Sequence, residues 1–198
     1  MFYLRHQFVF KFLLHSVSSA EPIGSLPPSF ADLSGQPLLQ HCHKWQILQD
    51  FNILTTVLAK SDHKFVVSKG PVFESHPLPD NMWGQQSVPQ IQVLPVVDLV
   101  ITHGGNNTVT ETFFFGKPMI VMPLFGDQPD NAQRIHDKGL GIRLDPYRCS
   151  KQELLEAIEK LLNDKELNDK MKNISKRIQT TKSIDKFPKL VEALVKNE

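Results

Sequence analysis

The stretch Asp98 to Gln128, DLVITHGGNNTVTETFFFGKPMIVMPLFGDQ, decides how the chain folds. Asp98 to Thr102 is a short apolar and β-branched run, the pattern of a strand buried on both faces. It stops at His103-Gly104-Gly105-Asn106-Asn107, which opens a helix-compatible segment. Such a junction suits an anion. Glycines let backbone approach a ligand and permit positive φ, and the N–H groups and positive dipole end of the following helix favour phosphate. Gly116-Lys117-Pro118 ends that helix, Met119 to Met122 is a second buried-strand run, and Pro123 to Gln128 leaves it as a loop carrying Asp127 and Gln128. In an open parallel sheet both loops lie at the carboxyl ends of strands, where ligands bind.

Upstream, Trp45 to Lys60 places Ile47, Leu48, Phe51, Leu54, Val57 and Leu58 at the spacing of a helix with one buried face. Lys64 to Ser68 reads as a strand closed by Lys69-Gly70-Pro71, then a loop rich in Pro, His and Asn runs to about Val88. Gln92 to Leu94 is expected to be a very short strand. Downstream, Gln128 to Lys138 reads as a helix stopped by Gly139 and Gly141, and Gly141 to Leu144 as a last short strand. Ser150-Lys151-Gln152-Glu153 is a capping box, and its helix buries Leu154, Leu155, Ile158, Leu161 and Leu162. Leu167, Met171, Ile174 and Ile178 mark a second amphipathic helix with a charged, solvated opposite face. A final helix is expected over Lys189 to Lys196, after Pro188. Alternating helices and strands predict an α/β fold, a Rossmann-like parallel sheet flanked by helices.

A chain of 198 residues with 40% hydrophobic and 22% charged residues is an ordinary globular domain, and a net charge of +1 gives no field that would gather nucleic acid. A small-molecule or protein partner is expected instead. The 2 cysteines, Cys42 and Cys149, form neither a metal-ligand pattern nor a disulfide framework, which points to a reducing compartment. No apolar run reaches the roughly 18 residues of a bilayer span, so no transmembrane anchor is expected. Residues 1 to 45 read as irregular or disordered. Met1 to Ala20 has an early Arg5, an apolar middle broken by Lys11 and His15, and small residues Ser18-Ser19-Ala20; a signal peptide competes there with a tail, an aberrant start or a poorly packed helix. The domain proper is expected over residues 46 to 198.

Val88-Pro89-Gln90, Thr102-His103-Gly104-Gly105-Asn106-Asn107-Thr108, Glu111, Gly116-Lys117-Pro118 and Pro123-Leu124-Phe125-Gly126-Asp127-Gln128 followed by Asn131 stand in an order and spacing that resemble a known family. The chain is similar, from about Asp50 to Val195, to the carboxyl-terminal, donor-binding half of the UDP-glycosyltransferases of glycosyltransferase-B architecture. The resemblance implies a UDP-sugar as co-substrate, with no metal and no further cofactor. It implies that His103 and the segment Gly105, Asn106, Asn107, Thr108 hold the donor diphosphate, with His103 stabilising the leaving group. Glu111 would accept from the ribose hydroxyls, a task for an acceptor-only carboxylate. Asp127 and Gln128 would read hydroxyls of the transferred sugar, and the backbone at Pro89 and Gln90 would hold the uracil edge.

Taken singly, these residues have plainer readings. His103 could be a strand-end histidine bonded to a carbonyl, Glu111 a solvated helix residue, Asp127 a helix cap, and Phe113-Phe114-Phe115 core packing. The chain departs from the family pattern where Ser87 replaces the aromatic residue expected to stack on uracil; Trp83 could compensate only if the loop folds back. The acceptor-binding domain and its histidine base have no recognisable counterpart here. The resemblance therefore implies inverting hexosyl transfer to a small lipophilic acceptor, by a chain that alone is weakly active or inactive. The competing reading is a truncated module that binds nucleotide without turnover. A glycan at the sequon Asn106-Asn107-Thr108 would occupy the phosphate site, which favours the cytoplasm; the endoplasmic reticulum or secretory route is the alternative if the amino-terminal run is a signal.

Overall fold

The computed structural model describes residues 11–15, 54–69, 77–181 and 183–195. Its strands are β1 (Lys11–His15), β2 (Lys64–Ser68), β3 (Met82–Gln85), β4 (Leu99–Thr102), β5 (Met119–Val121) and β6 (Gly141–Arg143). They form one sheet in the order β3-β2-β1-β4-β5-β6. The helices are α1 (Gln90–Val93), α2 (Asn106–Phe114), α3 (Gln128–Asp137), α4 (Lys151–Asn163), α5 (Lys165–Thr180) and α6 (Ser183–Val195). A 3-10 turn, Leu94–Val96, follows α1, and residues 54–58 are helical.

The α/β sheet flanked by helices is the expected architecture, with one exception at its centre. β2 and β3 pair in parallel, as do β4, β5 and β6. Between them β1 runs antiparallel to both β2 and β4, with Leu13 opposite Val66 on one side and Val100 on the other. Lys11–His15 is thus a strand and not irregular chain. A central strand must pair along both edges, and the short apolar run Phe12-Leu13-Leu14 is able to supply it. Because β1 opposes both neighbours, β2 and β4 point the same way, and Ser68, Thr102 and Val121 end on one edge of the sheet.

Alternation along the strands divides the core. Leu99 and Ile101 of β4, Ile120 of β5 and Phe65 and Val67 of β2 join a cluster with Val57, Leu58, Leu154, Ile158, Leu161, Leu167 and Met171. Val100, Met119, Val121 and Val66 face the other way, toward Val93, Leu94, Val97, Val109, Ala132 and Ile135. Every residue of β4 is buried, which is why its sequence reads as an unbroken apolar run and not an alternating one. The capping box forms as read, Ser150 Oγ accepting from Glu153 N at 3.1 Å and Glu153 Oε2 accepting from Ser150 N at 2.6 Å.

Four further readings change. Gln92 to Leu94 is not a strand: Gln90–Val93 is helical and runs into the 3-10 turn, because Gln92 N and Val93 N donate to Pro89 O and the bend turns Val93 and Leu94 into the core. The segment read as loop up to Val88 contains β3, whose main chain follows β2 from Phe65 opposite Met82 to Ser68 opposite Gln85. Ile178, read as part of the buried stripe of α5, is 39% exposed. The last helix begins at Ser183 and carries Pro188 inside it. Trp45 to Ile53, expected as the start of a helix, lies outside the described residues. None of the described helices is long and apolar enough to cross a membrane.

Candidate functional site

β4 delivers the chain to the carboxyl edge of the sheet and the next three residues turn it into α2. His103 is buried, and its Nδ1 lies 3.3 Å from Thr102 Oγ1, which also accepts from Gly104 N at 3.3 Å. Gly104 has φ +90°, and a Cβ there would meet Val121 Cγ1 at 2.6 Å, so both backbone and space require glycine. Gly105 is the N-cap of α2 and the cap carries no side-chain hydrogen bond. The first N–H groups of such a helix have no intrahelical acceptor and point out of its positive end. Asn106 and Asn107 are exposed there, whereas Thr108 is buried.

The loop after β5 comes to the same place. Asn106 Nδ2 donates to Asp127 Oδ2 at 2.7 Å across 21 residues of chain. Asn131 Nδ2 reaches Gly104 O at 3.0 Å, Asn106 Oδ1 at 3.1 Å and Asp127 Oδ2 at 3.3 Å. Asp127 occupies the N-cap position of α3 without a side-chain cap bond, so its carboxylate serves the cross-loop contact and not the helix. In the sequence Asn131 stands only as the last residue of the motif. Its signal was the four-residue spacing from Asp127, which puts both on one face of a helix start.

Gln128 is fully buried. Its Oε1 accepts from Leu124 N at 2.9 Å and Phe125 N at 3.1 Å, which holds the loop from inside. Its Nε2 is buried with no hydrogen-bond partner among the described residues. An unpaired buried donor costs free energy, so this amide has a bond still to make.

The other end of the site is at α1. Gln90, the first residue of α1, donates through Nε2 to Glu111 Oε2, which brings together two residues read as base-side and ribose-side contacts. Glu111 lies five residues beyond Asn106, about 7.5 Å along the helix axis. One helix therefore carries both clusters, Asn106 with Asp127 and Asn131 at its start, Glu111 with Gln90 in its middle. Ser87 is exposed. Trp83 sits in β3 opposite Val66 and is partly buried against the core. Phe113 and Phe115 pack on the core as expected, but Phe114 is 41% exposed.

Cys149 is half-buried. Burial, then the carboxylates of Glu153 and Asp145, push its thiol above the ordinary value, which disfavours the thiolate. Lys117, beside the end of α2, has its ammonium pKa lowered by burial, with Asp98 opposing that shift and Lys172 adding to it, and its Nζ donates to Pro95 O at 3.0 Å. Both groups belong to the scaffold.

The family described as "UDP-glucoronosyl and UDP-glucosyl transferase" matches residues 54–189. The NDP-glycosyltransferase YjiC of Bacillus subtilis (strain 168) is 32% identical over 139 residues, which are 69% of this chain and 36% of that protein. Human UDP-glucuronosyltransferase 1A9 is 38% identical over 90 residues, 44% of this chain and 17% of that protein. Among solved structures, the calicheamicin glycosyltransferase CalG4 superposes with a TM-score of 0.65 at 25% identity, covering 75% of this chain and 40% of that one. The glycosyltransferase of kitacinnamycin gives 0.62 at 28% identity, covering 67% and 35%. The chain thus spans well under half the length of these relatives. With the match running through the glycine turn, the acidic loop and the helices behind them, the chain belongs to the UDP-glycosyltransferase family and has the fold of one domain of the glycosyltransferase-B architecture.

Proposed function

We propose that this chain binds a UDP-sugar across the start of α2 and supplies the donor half of an inverting, metal-independent hexosyl transfer to a small lipophilic acceptor. The observation that carries this reading is the bond from Asn106 to Asp127, which draws a carboxylate from the loop after β5 to the amino end of α2. A helix start for anions and a carboxylate for hydroxyls then lie side by side, as a sugar diphosphate requires. In this reading the backbone N–H groups of Gly105 to Thr108 and the side chain of Asn107 hold the diphosphate. Glu111 accepts from the ribose, and the backbone at Pro89 and Gln90 meets the uracil edge. Asp127 reads the sugar from outside the loop, and Gln128 does so through its unbonded Nε2.

Charge develops on UDP as the anomeric bond breaks, and donors already aimed at that oxygen stabilise it without reorganising. His103 is assigned to this task. Attack by an acceptor oxygen needs a base, and no residue assigned here supplies one, so transfer by this chain alone is expected to be slow or absent. That same gap favours a second reading, a nucleotide-binding module without turnover. We place either form in the cytosol, because a glycan on Asn106 would break its bond to Asp127.

Calorimetric titration with UDP, in the wild type and Glu111→Ala, tests the donor site. Saturable binding that Glu111→Ala weakens supports it; no heat and no ligand-dependent melting shift would sink it. Robust sugar transfer to a simple phenol by the purified chain would overturn the expectation of weak turnover and the second reading together.

A further inference from the structure

We infer that Asn131 is a positioning residue whose side-chain amide locks the glycine turn after β4 to the acidic loop after β5, so that the phosphate end and the sugar end of the site move as one body. The part of this that concerns a donor rests on the function proposed above.

Three acceptors from three places converge on one amide. Gly104 O belongs to the turn, Asn106 Oδ1 to the start of α2, and Asp127 Oδ2 to the loop, at 3.0, 3.1 and 3.3 Å from Asn131 Nδ2. Asn106 closes the ring, since its own Nδ2 donates to Asp127 Oδ2 at 2.7 Å. A carboxamide has two N–H bonds to share among these acceptors. Both bonds to Asp127 fall on Oδ2, which leaves Oδ1 for a ligand hydroxyl. Gly104 leaves no room for a side chain beside Val121, since an added Cβ would lie 2.6 Å from Val121 Cγ1. Gln128 meanwhile holds Leu124 and Phe125 from below. Asn131 thus joins the direct Asn106–Asp127 bond in fixing one loop relative to the other, and it is the side chain that also reaches the turn itself at Gly104 O.

A residue that merely packed would tolerate a change of charge state that keeps its shape. Asn131→Asp keeps the shape, removes both donors and sets a second carboxyl beside Asp127. When the introduced group is charged the two carboxylates repel; when it is protonated its O–H can donate again. The lock is therefore expected to open at neutral pH and close on acidification in this variant only.

The ligand-free arm follows backbone amide resonances of Gly104 to Asn107 and Leu124 to Asp127 in the wild type, Asn131→Ala and Asn131→Asp. In Asn131→Ala both segments are expected to shift together, and in Asn131→Asp both are expected to titrate with one common midpoint between about pH 5 and 8 in the difference from the wild-type profile, which removes any contribution of the His103 imidazole beside Gly104. Shifts confined to one segment, or a flat difference profile for Asn131→Asp, would overturn the inference. The binding arm measures UDP-glucose against UDP. Asn131→Ala is expected to lose UDP-glucose affinity about tenfold with UDP changed much less, and Asn131→Asp to regain it on acidification. Equal loss of both ligands would assign Asn131 to general stability. A wild type that ignores UDP sinks the proposed function, while the ligand-free arm still decides the lock.

Discussion

The side-chain amide of Gln90 donates to the carboxylate of Glu111, so the first residue of α1 is joined to the middle of α2. If Glu111 reads ribose, its acceptor oxygens matter and its shape does not. Glu111→Gln is expected to weaken UDP binding about tenfold or more, ~1.4 kcal/mol, by calorimetry. The 2′,3′-dideoxy analogue lacks the hydroxyls and should be nearly indifferent to the substitution. Equal losses for both ligands would remove Glu111 from the ribose role.

Gln128 holds its loop through two backbone donors. Gln128→Leu fills similar space but leaves the N–H groups of Leu124 and Phe125 unpaired, at a cost of about 1–3 kcal/mol each where water cannot reach them. Urea denaturation should show lowered stability with an unchanged slope. A variant as stable as the wild type would mean that the loop is held by something else.

Two glycines with positive φ separate strain from crowding. Gly104 and Gly126 have φ +90° and +66°, but an added Cβ meets Val121 at the first and nothing within 4 Å at the second. Gly126→Ala should cost about 1–2 kcal/mol from backbone conformation alone. Gly104→Ala should cost clearly more, and Val121→Ala in the same chain should recover part of the difference. Thermal unfolding of the three variants reads this out; equal costs at the two glycines would contradict the contact with Val121.

Among the described residues, acid sensitivity has a legible source at Glu153. Bonds from the Ser150 backbone and side chain lower the pKa of Glu153, whose carboxylate stands outside the core. A carboxyl with a folded pKa below its unfolded value of 4.5 contributes stability that is complete above 4.5 and lost as pH falls through the folded value. Glu153→Gln should therefore flatten the stability profile in that acid window. At neutral pH, Ser150→Ala should cost about 1 kcal/mol as a lost N-cap. An unchanged acid profile in Glu153→Gln would refute the linkage.

β1 has a ladder on each side, to β2 and to β4. Proline at its centre removes a donor where both edges are in use, so Leu13→Pro should abolish cooperative unfolding followed by circular dichroism. Native-like cooperativity in that variant would place β1 outside the sheet.

Much of the site could be read locally. Asp98 to Gln128 encodes strand, glycine turn, helix, strand and acidic loop in consecutive residues, and each step depends on neighbours a few positions away. β3 was missed because Met82-Trp83-Gly84-Gln85 has no strand pattern of its own and is extended only by pairing with β2. Gln92 to Leu94 misled for the opposite reason, since a buried apolar run of that length has the same composition in a strand as in a turn of helix.

The sequence by itself determined the order of elements around the glycine turn, the capping box, the two-faced burial of β4 and the resemblance that named the family, because turn chemistry, capping and apolar period act over a few residues. Only the tertiary structure decided that an amino-terminal run crosses the sheet antiparallel, that Gln128 faces inward, and that Asn131 and Asn106 share the Asp127 carboxylate. Those outcomes depend on groups that meet across long stretches of chain, where hydrogen-bond geometry and available space choose the partner and spacing in sequence carries no record of the choice.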